Sequence, residues 1–478
     1  MKIKAMAKWF FGLHWWVRLP LVILCLLMLF LLWRDTRPPR RDVSPDELAP
    51  LSLEGVERIL VLAPHCDDET LGPGGLIAAA EQEGKEVRVA IATNGDGYLF
   101  ATIRDFRKVY PRPKDYIHMG TVRQQESLAA LSMLGVPAEK VYFLGYPDRG
   151  TPSLWTTHWD ASNPYKSPYN GASKSPYPLT YNPESVYAGE DYLADVTTIM
   201  ADYRPDLVIY PHPDDIHPDH WGLNAFTRLA LTELSHKDPS YQPRQLTYLV
   251  HRPDFPVVRG FKPAEALVPP PALYAIYPDW YRWDLAVVDE ALKGEAVLAY
   301  RSQLSLLRGF MESFVRSNEL FAPVVSQDLP VAVAGVPNDP STWQDAAKQP
   351  IASIQLDPVQ DYFLRRDLPG TDLAALYAAR SGDILWACAQ LRVRASDDVP
   401  YTFQLKALTE TSIVPYMARS HKPRPGEGQV TLHKDYACFQ VPLLELGDPW
   451  AIHISVETQS PDANLPFDQT AWQMVYVR

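Results

Sequence analysis

A mostly parallel, doubly wound (Rossmann-like) α/β sheet, with an N-terminal transmembrane helix before it and a C-terminal β-sandwich-like domain after it, is the architecture that three observations predict. Between residues 56 and 325, short β-rich runs alternate with helix-length amphipathic segments, the pattern of parallel strands joined by crossover helices. Leu19 to Trp33 is apolar apart from Pro20. From Val331 onward, short runs alternate apolar and polar residues between turn signals.

The N-terminal segment carries Lys2, Lys4, Lys8 and Arg18 among Trp and Phe. Extended back through Trp15, Trp16 and Val17, the apolar run reaches the length of a bilayer span, with Arg18 snorkelling to the interface. The Trp33-Arg34-Asp35-Thr36-Arg37 sequence that follows offers no small-residue cleavage site. Residues 1–34 are therefore expected to be an uncleaved membrane anchor, and residues 35–55 an Arg/Pro-rich linker. Arg34, Arg37, Arg40 and Arg41 balance the basic residues ahead of the run, so the positive-inside rule does not orient it.

In the 56–325 domain, Arg58–Ala63, Glu86–Thr93, Val141–Tyr146, Leu207–Tyr210 and Leu246–Val250 read as strands. Leu76–Glu83, Thr121–Leu134, Asp191–Tyr203, Leu223–Leu234 and Val288–Leu307 read as helices. Tyr98–Met119 and Gly150–Gly189 are too long for ordinary connections. The second gathers Trp155, Trp159, Tyr165, Tyr169, Tyr177, Tyr181 and Tyr187, suited either to stacking on sugar rings or to packing a long loop down. In the 331–478 domain the expected strands are Ile351–Leu356, Ile384–Val393, Thr402–Leu408, Tyr436–Val441, Ile452–Val456 and Trp472–Val477.

The net charge of −12 argues against nucleic acid as a partner, because phosphate binding requires a basic face. The 45 prolines gather between the periodic segments and predict long, ordered loops. Four cysteines are too few for a disulfide scaffold. Cys388 and Cys438 share one region and could pair, which the sequence does not show.

Polar chemistry gathers at two strand ends. The run Arg58 to Ala63 leads into Pro64-His65-Cys66-Asp67-Asp68-Glu69, followed by Gly72, Gly74 and Gly75; Leu207 to Tyr210 leads into His212, Asp214, Asp215, His217, Asp219 and His220. The carboxyl ends of strands in an open α/β sheet are where ligands bind. A hydrolytic zinc site needs three protein ligands, an open position and a base. Neither cluster suffices alone. His65 and Asp67 share a strand face, whereas His65 and Asp68 converge if the chain turns into a helix, so spacing leaves open which aspartate binds metal. His217 and His220, three apart at a helix start, face the same way.

These residues resemble the PIG-L (LmbE-like) zinc N-deacetylases. Supporting matches are Thr93-Asn-Gly95-Asp96, Arg123-Gln-Gln-Glu126, Leu144-Gly-Tyr-Pro-Asp148 and Tyr300-Arg-Ser302-Gln303, and the resemblance spans roughly residues 56 to 325. It implies that His65, Asp68 and His220 bind Zn2+, that Asp67 is the general base, and that His217 protonates or hydrogen-bonds the oxyanion and departing amine. Arg123 and Asp148 match substrate-contacting positions, although Arg123 is also placed to pair with Glu126. Glu69, Asp96 and Asp219 are expected to orient the reacting groups. Cys66 stands where the family usually has Pro.

The expected function is removal of acetyl from an N-acetylated sugar, such as an N-acetylglucosamine-type glycan or glycolipid of the cell envelope. Alternatives are a zinc amidohydrolase of another small amide and a glycan-binding protein with a vestigial metal site. The expected location is single-pass membrane-anchored, with the catalytic domain extracytoplasmic.

Overall fold

A computed structural model describes residues 43–98, 102, 111–257, 259–358, 369–459 and 466–478. Residues 44–478 form one compact unit. Its centre is β1 (Arg58–Ala63), whose residues after Arg58 are all buried, as a parallel strand covered on both faces requires. The further elements of this part are α1 (Asp68–Leu71), α2 (Gly74–Gln82), β2 (Glu86–Thr93), α3 (Pro113–Met133), β3 (Val141–Tyr146), α4 (Thr151–Thr156), α5 (Gly189–Tyr203), β4 (Leu207–Pro211), α6 (Pro218–Lys237), β5 (Arg244–Tyr248), β6 (Tyr281–Asp284), α7 (Val287–Val297), α8 (Arg301–Met311) and β7 (Asn318–Pro323).

The sheet runs in the order Ala49–Pro50, β6, β7, β5, β4, β1, β2, β3. The five strands from β5 to β3 are parallel, with Val61 level with Val89 on one side and Ile209 on the other. β7 runs antiparallel to both β5 and β6. The chain order along the parallel part reverses between β1 and β4, which opens a crevice beyond their carboxyl ends. On one face Leu60, Leu62, Ala90, Ala92 and Leu144 pack against Tyr192, Val196 and Met200 of α5 and Leu223, Phe226 and Leu229 of α6. By strand alternation Ile59, Val61, Val89 and Ile91 turn to the other face.

The single helix expected over Val288–Leu307 is instead two, α7 and α8. The break falls at Tyr300, a non-helical cap (φ −79°, ψ 61°) whose buried hydroxyl donates to Glu69 Oε1 at 2.6 Å. The break places that phenol beneath the first polar run.

The longer strands of the C-terminal part are β8 (Leu373–Ser381), β9 (Ile384–Leu391), β10 (Tyr401–Leu408), β11 (Ile413–Arg419), β12 (Tyr436–Pro442) and β13 (Ala451–Gln459), joined by the shorter β14 (Gln473–Tyr476) and further short edge strands. One sheet holds β8, β9 and β12; the other holds β11, β10, β13 and β14. Leu376, Ala387 and Phe439 of the first share a core with Phe403, Leu405 and Ile454 of the second. Cys388 and Cys438 lie directly opposite one another on β9 and β12 and form a disulfide. The C-terminal part also packs on the α/β part: Trp472 and Met474 enter the core that contains Trp155 and Phe226, and the Trp472 and Trp155 rings meet edge to face at 5.1 Å.

The fold expectation needs one correction: the transmembrane helix is withdrawn, and with it the single-pass, extracytoplasmic placement. A span needs about 20 consecutive apolar residues. Among the described residues no helix is long and apolar enough to cross a membrane. The two that have the length, α3 and α6, carry Lys114, Asp115, Arg123 and Glu126, and Asp219, Arg228, Glu233 and Lys237. The stretch that suggested an anchor, residues 1–34, lies outside the described residues.

Candidate metal centre

All five parallel strands deliver side chains to the crevice. β1 ends on His65; the β2 end carries Asn94 to Gly97; β3 ends next to Asp148; β4 leads to Asp215, His217 and His220; and β5 leads to His251. Three atoms from two strand ends form a close triangle. His65 Nδ1 is 3.0 Å from Asp68 Oδ2, His220 Nε2 is 3.1 Å from the same oxygen, and the two nitrogens are 3.3 Å apart. Ligand atoms about 2.0–2.1 Å from a tetrahedral zinc ion stand about 3.3 Å from one another, so the triangle fits such an ion. The other Asp68 oxygen, Oδ1, is buried without a hydrogen-bond partner. These residues could bind a metal.

The turned-away nitrogens are also held. His65 Nε2 lies 3.1 Å from Asp219 Oδ2 and 3.6 Å from Asp148 Oδ1, and His220 Nδ1 lies 3.0 Å from Asp215 Oδ2. A carboxylate behind an imidazole of this kind fixes its tautomer and raises its basicity. Asp219 in turn accepts from the backbone N–H groups of Arg149 (2.6 Å) and Thr151 (3.2 Å), where α4 begins. Asp215 accepts from the N–H groups of His217 (3.0 Å), Val250 (3.0 Å) and His251 (2.9 Å). Burial opposes charge on Asp68, yet His220 and His65 beside it hold its carboxyl well below the usual range.

Asp67 is placed differently. Its backbone has φ 134°, a left-handed value that costs a non-glycine residue about 1–3 kcal/mol. It is held there because its N–H donates to Glu69 Oε2 at 3.0 Å and its side chain pairs with Arg123 at 3.1 Å. Arg123 reaches from α3 and also donates to the carbonyls of Gly95 (2.8 Å) and Cys66. A Cβ at Gly95 (φ +60°) would overlap the guanidinium, so the glycine makes room for the clamp. Burial pushes the Asp67 carboxyl up to about 7; Arg123 pulls it down, and Asp68 and Glu69 add to the rise.

His217 caps α6. Its Nδ1 accepts from the N–H of Asp219 at 3.3 Å, and Pro218 fills the first helical position, where a missing N–H costs nothing. Burial, followed by the charges of His65, His251 and His220, holds its imidazole well below the usual range. With Nδ1 accepting, the neutral ring carries its proton on Nε2.

The structure thus brings His65, Asp67, Asp68, Asp148, His217 and His220 to one place. Arg123 turns its guanidinium to Asp67 and two carbonyls, while Glu126 goes to the N–H and hydroxyl of Ser302 at 2.8 and 2.6 Å. Asp148 Oδ2 accepts from the Gly97 N–H at 2.7 Å. His212 is elsewhere, stacked on Trp280 with its Nδ1 capped by the Asp214 N–H. The Cys66 thiol is buried, and burial pushes its pKa up.

His251 escaped the sequence reading altogether, and Asp215, which stands in the second polar run, was given no role there. The signal for His251 was its position just past the fifth predicted strand, at the same sheet end as the other polar tips. In the long insertion, Trp155, Tyr177 and Tyr187 are buried, and the Tyr177 hydroxyl and Asn170 amide donate to Asp96 at 2.6 and 2.9 Å. For these residues packing is the explanation; Tyr169, half-buried against Gly97 and Tyr116, stays at the edge of the crevice.

Residues 60–231 match the family described as PIG-L, GlcNAc-PI de-N-acetylase. A 1D-myo-inositol 2-acetamido-2-deoxy-α-D-glucopyranoside deacetylase of Mycobacterium sp. (strain KMS) is 28% identical over 306 residues, 62% of this chain and 90% of that protein. One of Kineococcus radiotolerans is 27% identical over 199 residues, 40% of this chain and 49% of that protein. Among solved structures, N,N'-diacetylchitobiose deacetylase from Pyrococcus horikoshii is 18% identical with a TM-score of 0.36, covering 57% of this chain and 85% of its own. That superposition is too loose to carry an argument.

Proposed function

We propose, on the premise that residues 60–231 form a domain of the PIG-L family of deacetylase hydrolases, that this chain removes the acetyl group from an N-acetylglucosaminide with the help of Zn2+. The observation that carries the reading is the 3.0–3.3 Å triangle of His65, Asp68 and His220 with the Arg123-clamped Asp67 next to it. The sugar class follows from the mycobacterial relative, whose name specifies a 2-acetamido-2-deoxyglucopyranoside.

In this reading His65, Asp68 and His220 would hold a zinc ion, which would supply a Lewis acid for the acetamide carbonyl and the attacking water. Asp67 takes the water proton as oxygen bonds to the carbonyl carbon. Its carboxyl, pushed up to about 7, is matched to that task near neutral pH. His217 stays neutral and offers its Nε2–H to the oxyanion as charge develops there. When the C–N bond breaks, the proton taken by Asp67 goes to the departing nitrogen, leaving the free amine and acetic acid, which gives up its remaining proton to solvent as acetate. Asp148 and the exposed side of Tyr169 are assigned to the sugar, whereas Arg123 acts by holding Asp67.

Acetate release from N-acetylglucosamine-containing substrates, measured alongside zinc content, tests this. Asp67→Asn is expected to keep one equivalent of zinc and lose at least roughly 100-fold in rate, the usual scale of general base catalysis. Asp68→Ala and His220→Ala should lose the metal. Normal turnover by Asp67→Asn overturns the base assignment. Sugar binding with no acetate release in the zinc-loaded protein would point instead to a glycan-binding protein.

A further inference from the structure

His251 stands outside the triangle but within its reach. One of its ring nitrogens lies with the donor atoms of His65, Asp68 and His220 in a group whose members are all within 4.8 Å of one another. The ring is held on several sides: it stacks on Phe310 (5.5 Å, 17° between planes), meets His220 edge to face at 4.7 Å, and lies 5.2 Å from His217. Its backbone N–H is tied to Asp215 Oδ2, the oxygen that also faces His220 Nδ1. One carboxylate therefore sets both histidines. Phe310 belongs to α8, and the segment after His251 is attached to the same helix by the Gly260 N–H donating to the Gly309 carbonyl at 2.8 Å.

From these contacts we infer that His251 is a displaceable fourth protein ligand of the metal: it closes the coordination sphere in the resting protein and gives up its place when substrate arrives. The inference rests on the metal-centre reading above. A catalytic zinc site keeps a position open, whereas four protein ligands make a closed, structural type of site. The His251 nitrogen needs to approach by no more than about 1.5 Å to reach tetrahedral ligand spacing. Its stack on Phe310 then defines the withdrawn position. Nothing is oxidised and no covalent carbon bond changes; a nitrogen lone pair exchanges with an oxygen donor of water or substrate.

The test uses the full chain, freed of metal and reloaded with Co2+ or Zn2+. Wild type should show the visible absorption of four-coordinate cobalt with three imidazole donors, shifting when N-acetylglucosamine or acetate takes the place of one of them. His251→Phe keeps an aromatic ring on Phe310 but has no donor, and His251→Ala removes both. With water in place of the imidazole nitrogen, each variant should show a cobalt spectrum shifted from that of wild type in the resting state and bind zinc roughly 10–100-fold more weakly in chelator competition, a loss at least as large as for an outer-sphere partner. Thermal melts of the metal-free proteins separate a folding defect from a ligand defect. A His251→Phe protein with wild-type spectrum and affinity overturns the inference and leaves the three-ligand centre standing. Failure of wild type to bind either metal overturns the centre itself.

Discussion

Asp215 offers the sharpest test of how the crevice is built, because one carboxylate serves two purposes. Its Oδ2 faces His220 Nδ1 at 3.0 Å, and its two oxygens together accept three backbone N–H groups, those of His217, Val250 and His251. Asp215→Ala orphans all three. Val250 is fully buried, while His217 and His251 are half-buried and can recruit water. At about 1–3 kcal/mol for a buried unsatisfied donor and less for the others, the metal-free protein should lose roughly 3 kcal/mol. Asp215→Asn is milder. Its carbonyl oxygen can still receive Val250, His251 and His220, and only the His217 N–H faces an amide, so the cost in stability should be about 1 kcal/mol. It removes the charge behind His220, however, and zinc affinity should fall roughly 10–100-fold, as for other carboxylates behind a ligating histidine. Urea unfolding of the metal-free proteins gives the first quantity and chelator competition the second. Asp215→Asn with wild-type zinc affinity, or Asp215→Ala unfolding at the wild-type midpoint, would refute the reasoning.

Two further predictions concern the clamp and the disulfide. Arg123 holds the Asp67 carboxyl below where burial alone would put it, so Arg123→Met raises that pKa above about 7. In the proposed mechanism the base works only when ionised, so the acid limb of kcat/KM moves to higher pH and activity at pH 7 falls more than at pH 9; superimposed pH profiles would rule out the clamp. The Cys388 to Cys438 disulfide closes a loop of 50 residues, worth about 4 kcal/mol by chain entropy. Cys388→Ser with Cys438→Ser should lower the melting temperature while leaving acetate release per folded molecule unchanged at 25 °C, and an unchanged melting temperature would contradict it.

The parallel strands were legible because each is an apolar run ending abruptly in polar residues or a turn, and Arg58–Ala63, Glu86–Thr93 and Val141–Tyr146 fall on the expected bounds. β7 was not. It carries Glu319 at a buried position, which no alternation rule anticipates. The charge is tolerated because Lys293 from α7 reaches it at 2.6 Å and the N–H groups of Gly75 and Leu76 donate to it. The break at Tyr300 was hidden for a similar reason, since the helical periodicity continues through it and only Glu69, distant in sequence, accounts for it. β8 and β11 went unread among the short C-terminal strands, where neighbouring runs differ little in pattern.

That two polar runs end two buried strands, and that the residues in them suit a metal and a base, could be read from the chain alone, because strand ends, helix caps and residue chemistry are local properties. Spacing left open which aspartate joins the histidines; the family resemblance implied Asp68, and the physical reason is visible only in three dimensions. The turn at Asp67, held by Arg123 and Glu69, swings Asp68 between His65 and His220 and leaves Asp67 beside them. His251 enters, and Asp215 gains the N–H groups of Val250 and His251, because β4 and β5 are neighbours in the sheet, and that adjacency is fixed by strand order, which no local signal in the chain encodes.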